Sequence, residues 1–130
     1  MIIYCDSNIL LKRVFDEKDS QSIVQHLDTY LALNSTLVSS ALARLEVDRK
    51  VRSHLGSQQP DDIELALDDV VLADLNGHIL MNAADLPSRY LSTLDAIHVA
   101  TAFTVSADLV LTLDKQMRAA CEELGMAVGP

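Results

Sequence analysis

The chain has 130 residues, 49% of them hydrophobic, and a formal net charge of −9. That is the size of one ordinary domain with enough apolar material for its own core, so residues 1–130 are read as a single domain needing no disulfide or structural metal. Nineteen acids against ten Lys and Arg argue, on charge alone, against a protein that holds nucleic acid on a broad basic surface.

The start "MIIYCDSN" lacks the basic region of a signal peptide, and no stretch approaches the roughly 20 apolar residues that span a bilayer. A soluble, cytoplasmic protein without a membrane partner is expected. The two cysteines, Cys5 and Cys121, lie in apolar patterns without zinc-ligand spacing and read as reduced core thiols.

"MIIYC" is a short β-rich run and predicts a buried strand. "DSNILLKRVF" predicts a helix capped by Asp6 or Ser7. A second helix lies in "DEKDSQSIVQHLDTYLALN", with Ile23, Leu27, Tyr30 and Leu31 at helical spacing. "STLVSS" is the next strand, and "ALARLEVDRKVRSHLG" a helix that stops at Gly56. "SQQPDD" is a turn whose Pro60 opens a helix to about Val70, and "DVVLADL" holds a short strand. "NGHILMNAADLP" is a short helix closed by Pro87. "LSTLDAIHVATAF" predicts a buried helix from about Thr93. Strand "DLVLTL", helix "KQMRAACEELG" and terminal strand "MAVGP" complete the chain. Strands alternating with helices predict an α/β fold with a parallel sheet covered on both faces.

In such folds sites form beyond the carboxyl ends of the strands. Asp6 and Asp114 each follow a strand, Glu46 lies early on the helix after "TLVSS", and Asp95 opens the apolar helix. Each acid has a plainer reading. Asp6 and Asp114 suit helix caps, Glu46 could pair with Arg49 or Lys50, and Asp95 suits the positive end of its helix. Taken together they would repel, each pair by about 4 kcal/mol at roughly 4 Å and an effective dielectric near 20. A cluster of this kind takes up protons or recruits a hard cation, and oxygen-only ligands favour Mg2+ or Mn2+ over zinc. Such a cation suits phosphate chemistry, where it can activate a water and neutralise charge in an in-line displacement. The basic residues fall beside these acids: Arg44, Arg49, Lys50 and Arg52 near Glu46, Arg89 before Asp95, and Lys115 and Arg118 after Asp114. For each of them a salt-bridged surface is the plainer reading.

The segments "YCDSNILL", "LARLEVDR", "LDAIHVATA", and "LVLTLDKQM" followed by "AACEELGM" resemble, in order and spacing, the PIN domain, and within it the VapC-type toxins of prokaryotic toxin–antitoxin pairs. The resemblance implies a three-layer α/β/α sandwich and cleavage of RNA dependent on Mg2+ or Mn2+. It maps the acidic tetrad onto Asp6, Glu46, Asp95 and Asp114, with metal ligands among Asp6, Asp95 and Asp114. Ser7, Asn8 and Thr112 match polar positions that orient acids or water. It further implies a homodimer and a cognate antitoxin that blocks the site. The runner-up reading is a binding or regulatory module that keeps the fold without catalysis. A receiver-type phosphoacceptor fits poorly, because "TLVSS" ends in serine, and nucleotide-binding motifs are absent.

His98, one turn after Asp95, could be a general base or a partner behind the acids; a satisfied core histidine is the plainer reading, because the implied mechanism needs no imidazole, and Met81, Met117 and Met126 read as core filler. The aromatic residues are too few and dispersed for a base-stacking platform, so recognition of RNA is expected to rest on shape and backbone. Pattern alone leaves the dimer surface open: apolar residues of the first two helices are candidates that the sequence does not separate from core.

Overall fold

The computed structural model describes residues 1–55, 60–87 and 91–130. The β-rich runs become strands β1 (Ile2–Cys5), β2 (Thr36–Ser40), β3 (Val70–Ala73), β4 (Leu109–Leu111) and β5 (Val128–Gly129). Between them lie helices α1 (Ser7–Leu10), α2 (Ser20–Ala32), α3 (Ala41–Leu55), α4 (Pro60–Ala66), α5 (Gly77–Ala84), α6 (Thr93–Thr104) and α7 (Lys115–Glu123). The sheet is parallel throughout, in the order β3-β2-β1-β4-β5. The chain moves outward from β1 on one side and then, after β3, crosses to the other, so the order reverses between β1 and β4.

The two-residue period of β1 sorts its side chains between two helical layers. Ile3 and Cys5 pack with Ile9, Leu10, Ile23 and Leu27 of α1 and α2. Tyr4 faces the opposite way and packs with Val99 and Ala102 of α6 and with Met117, Ala120 and Cys121 of α7. Val47 and Val51 of α3 meet Ile63 and Ala66 of α4, and Ile79 of α5 meets Ile97 and Ala100 of α6. Helices on both faces of a parallel sheet make a three-layer α/β/α sandwich, and burial on both faces explains why β1 reads as a continuous apolar run. Both cysteines are buried and free, and burial pushes the thiols up to about 12 for Cys5 and about 11 for Cys121.

Several expectations are corrected. The helix after Asp6 is one short turn that tightens into a 3-10 turn over Leu11–Arg13. There Lys12 pairs with Glu17 and Asp19, and Arg13 donates to the Ala66 and Asp68 carbonyls. Helix α4 ends at Ala66, short of Val70, because Asp69 turns into the left-handed region (φ 56°) and Val70 already belongs to β3. Helix α6 is buried over Ile97–Ala102, but Leu94 and Phe103 at its ends are 49% and 59% exposed. Met81 is 70% exposed rather than core filler, whereas Met117 is buried. The first two helices carry none of the exposed large apolar side chains among the described residues. On the helices they are Leu45 of α3, Leu65 of α4, Leu80 and Met81 of α5, and Leu94 and Phe103 of α6, with Leu33 at the C-terminal cap of α2. The expected stop at Gly56, the first half of the "SQQPDD" turn, Arg89 and Tyr90 lie outside the described residues. Among the described residues no helix is long and apolar enough to cross a membrane.

Candidate active site

Asp6 leaves the end of β1 at the point where the strand order reverses, the position at which open α/β sheets form their sites. Its backbone N–H donates to the Leu111 carbonyl of β4 (3.0 Å), which ties the two strand ends together. The residue is 4% exposed. One carboxylate oxygen, Oδ1, accepts the Ser7 N–H at 2.7 Å, with the Ser7 hydroxyl at 3.5 Å. The other, Oδ2, accepts the Thr112 hydroxyl at 2.8 Å. Burial pushes the carboxyl above the usual range and Glu46 adds to the push, while His98 and the Thr112 hydroxyl oppose it.

Thr112 connects two of the acids. It donates to Asp6 and accepts the Asp114 backbone N–H at 3.1 Å. Asp114 caps α7, its Oδ1 accepting the Gln116 and Met117 N–H groups at 2.8 and 2.9 Å. The plain capping reading therefore describes one oxygen of Asp114. Asn8 accepts the Leu113 N–H at 3.3 Å and braces the same loop. Arg118 donates to the Thr112 and Pro130 carbonyls, so it is committed to holding backbone at the rim of the site. Lys115 is exposed.

Asp95 stands in the first turn of α6, whose N-cap Ser92 accepts the Asp95 N–H at 3.2 Å. The carboxyl is half-buried and sits above the usual range. Burial is the main cause and the charges of Asp114 and Glu46 add to it, opposed by the Ser92 hydroxyl and His98. Glu46, on α3, finds its partner in His98 (Nε2 to Oε1, 2.5 Å) rather than in Arg49 or Lys50. The same imidazole lies 3.8 Å from Asp6. His98 is buried, as a core histidine is expected to be, yet it stands among the acids. Burial alone would lower its pKa, but Glu46, Asp6 and Asp95 carry it above the ordinary value.

The fold thus brings Asp6, Glu46, Asp95 and Asp114 from four elements into one electrostatic neighbourhood, in which each of the four is felt by at least one other. Among the described residues none of them is paired with Lys or Arg. Nor do three acidic, imidazole or thiol groups there form a ready-made metal-ligand shell. The donor set still fits a hard divalent cation: it is all oxygen, carries negative charge that His98 offsets only in part, and leaves carboxylate lone pairs free. Mg2+ is commonly held by only one or two carboxylates with its waters retained. Beside Glu46 a groove of about 450 Å³ runs between α3 and the start of α6, lined by Leu42, Leu45, Arg49, Lys50, Ser53 and Leu94.

Thr112→Val keeps the shape of the side chain but removes both the donor to Asp6 and the acceptor for Asp114. Leaving these buried groups unmatched costs about 1–3 kcal/mol of stability, read by urea unfolding.

The PIN domain family model matches residues 3–123. Ribonuclease VapC46 of Mycobacterium tuberculosis (strain ATCC 25618 / H37Rv) is 38% identical over 128 residues, covering 97% of this chain and 95% of that protein. Ribonuclease VapC35 of the same organism (strain CDC 1551 / Oshkosh) is 29% identical over 131 residues, covering 98% and 95%. Among solved structures, VapBC2 from Rickettsia felis, bound to a DNA fragment from its promoter, superposes with a TM-score of 0.78 at 15% identity. It covers 99% of this chain and 98% of that one. Mycobacterium tuberculosis VapC20, a Sarcin-Ricin loop cleaving toxin, gives 0.70 at 12% identity over 91% and 94%.

Proposed function

This chain belongs to the PIN domain family, in its VapC-type branch, and from that premise we propose that it is the toxin of a toxin–antitoxin pair, a metal-dependent endoribonuclease restrained by a cognate antitoxin. The observation that supports the reading best is Asp6. It is a buried carboxylate, held by Thr112 and Ser7 at the reversal of the sheet, with the charge of Glu46 acting on it, Thr112 joining it to the loop of Asp114, and no ion pair to Lys or Arg among the described residues.

In this reading Asp6 and Asp95, with Asp114 beside them, hold Mg2+ or Mn2+. The cation, when bound, supplies charge neutralisation at the phosphate and acidifies a bound water. The chain's own groups do the rest. Arg49 and Lys50, on the groove next to Glu46, receive the RNA backbone. Glu46 keeps one oxygen on His98 and presents the other to the attacking water. The water oxygen bonds to phosphorus, the phosphorus–oxygen bond to the leaving ribose breaks, and Glu46 takes the water's proton and releases it as the leaving oxygen is protonated. The local positive charge on α3 offsets the objection raised by the overall charge of −9. The chain acts as a homodimer, with exposed apolar side chains of α3, α5 and α6 available to be covered by a partner.

The test is incubation of the purified protein with total RNA, in Mg2+ or in EDTA, followed by size-resolved electrophoresis. Discrete fragments that appear with Mg2+ and vanish with EDTA are expected. RNA left intact in both, together with no cation binding, would replace the enzyme with a catalytically silent member of the fold.

A further inference from the structure

Behind Glu46 the interior holds a chain of polar side chains. Tyr4 is fully buried and His98 is 1% exposed. Tyr4 Oη lies 2.6 Å from His98 Nδ1, and His98 Nε2 lies 2.5 Å from Glu46 Oε1. The two rings meet edge to face, with centroids 5.9 Å apart at 70°.

The chemistry of the groups fixes the direction of the bond to Glu46. An ionised carboxylate only accepts, so Nε2 carries the proton shared with Glu46. Burial keeps the phenol protonated, with the Ser39 side chain and the Ser40 backbone beside its oxygen. A hydroxyl both donates and accepts, so Tyr4 donates to Nδ1 of the neutral imidazole and accepts from Nδ1–H of the imidazolium. In either charge state Tyr4 holds one ring nitrogen and the other donates to Glu46.

The placement follows from the two secondary-structure periods. Tyr4 precedes Asp6 by two residues, so both point to the α6 side of β1. His98 follows Asp95 by three, so both lie on one face of α6. One imidazole thereby reaches Glu46 of α3 while standing 3.8 Å from Asp6. Nothing in the hydrolysis itself requires an imidazole. What the site does require is that a half-exposed glutamate on α3 keep one orientation beside a buried aspartate that repels it.

We infer that Tyr4 and His98 are positioning residues that fix the Glu46 carboxylate, tying Oε1 and leaving Oε2 for the water; the inference rests on the nuclease reading above. Outer partners of this kind change activity by about 10- to 100-fold. His98→Leu should lower kcat by that amount with KM within about twofold. His98→Gln, whose amide nitrogen reaches the place of Nε2, should recover most of the loss. Tyr4→Phe should show a smaller loss of the same kind.

The deciding readout needs neither RNA nor metal. In protein labelled with 15N-histidine, His98, assigned by its disappearance in His98→Gln, should show a slowly exchanging proton on Nε2. Tyr4→Phe should move its Nδ1 resonance while leaving His26, His54 and His78 in place. A bare Nε2, an Nδ1 resonance indifferent to Tyr4→Phe, or a folded His98→Leu variant as fast as wild type would overturn the inference. Wild type that shows the Nε2 proton but cuts no RNA would overturn the nuclease reading instead and leave the hydrogen-bond relay standing.

Discussion

On the proposed mechanism Asp6→Asn should lose about 10^3-fold in RNA cleavage, because the interactions a metal-assisted site would supply amount to several kcal/mol and each 1.36 kcal/mol is about tenfold in rate. The loss does not come from unfolding. Asn matches the shape, and its carbonyl can still accept either Ser7 or Thr112, the two donors that hold Asp6 at 2.7 and 2.8 Å. It cannot accept both, because its second arm is itself a donor. The variant therefore keeps a cooperative thermal transition while its amide turns against one neighbour. Initial rates on a defined RNA in Mg2+, beside melting curves, separate the two effects. Residual cleavage within tenfold of wild type would remove Asp6 from the site.

On the same mechanism Asp95→Asn should give an equal loss of cleavage with the opposite effect on stability. The Asp95 carboxyl sits above its usual pKa through burial and through the charges of Asp114 and Glu46. Its ionised form therefore works against the fold whenever no cation is bound. Removing the charge relieves that repulsion, while the Ser92 cap on the Asp95 backbone N–H stays in place. The metal-free variant should melt at or above the wild-type temperature. Added Mg2+ should raise the melting temperature of wild type and not that of the variant, since a ligand stabilises only the state that binds it. A variant that melts well below wild type would mean that Asp95 serves α6 as a first-turn acid and nothing more.

The fold was legible because its patterns are local. Continuous apolar runs such as "MIIYC" and helical spacing such as Ile23–Leu27–Leu31 decide strand and helix within a few residues, and their alternation decides the parallel sheet. Boundaries were missed where one backbone angle decides, as at Asp69, whose left-handed turn ends the α4 region early. Exposure was misjudged at Met81, Leu94 and Phe103, because an apolar side chain near a helix end reads the same whether it meets core or solvent.

The acids were legible from their places at element ends, since the topology alone carries those ends to one edge of the sheet. The setting of Glu46 was not. Its partner is 52 residues away, and the partner's own partner is a further 94, so no window of sequence contains the relay. A faint signal existed: Tyr4 stands two residues before Asp6 on a strand and His98 three after Asp95 on a helix, so each shares a face with an acid of the site. An aspartate opening an apolar helix also raises the question of what it pairs with. Inside the protein the answer is the Ser92 hydroxyl and the field of His98, set against two repelling carboxylates. The remaining imbalance is what a cation would satisfy.

That central claim is tested most directly by calorimetric titration of Mn2+ into the metal-free protein and into Asp6→Asn and Asp95→Asn. Saturable binding by wild type, lost in both variants while their melting curves stay cooperative, is the predicted result. Binding that is unchanged in both variants, or a folded wild type that takes up no Mn2+, would contradict it.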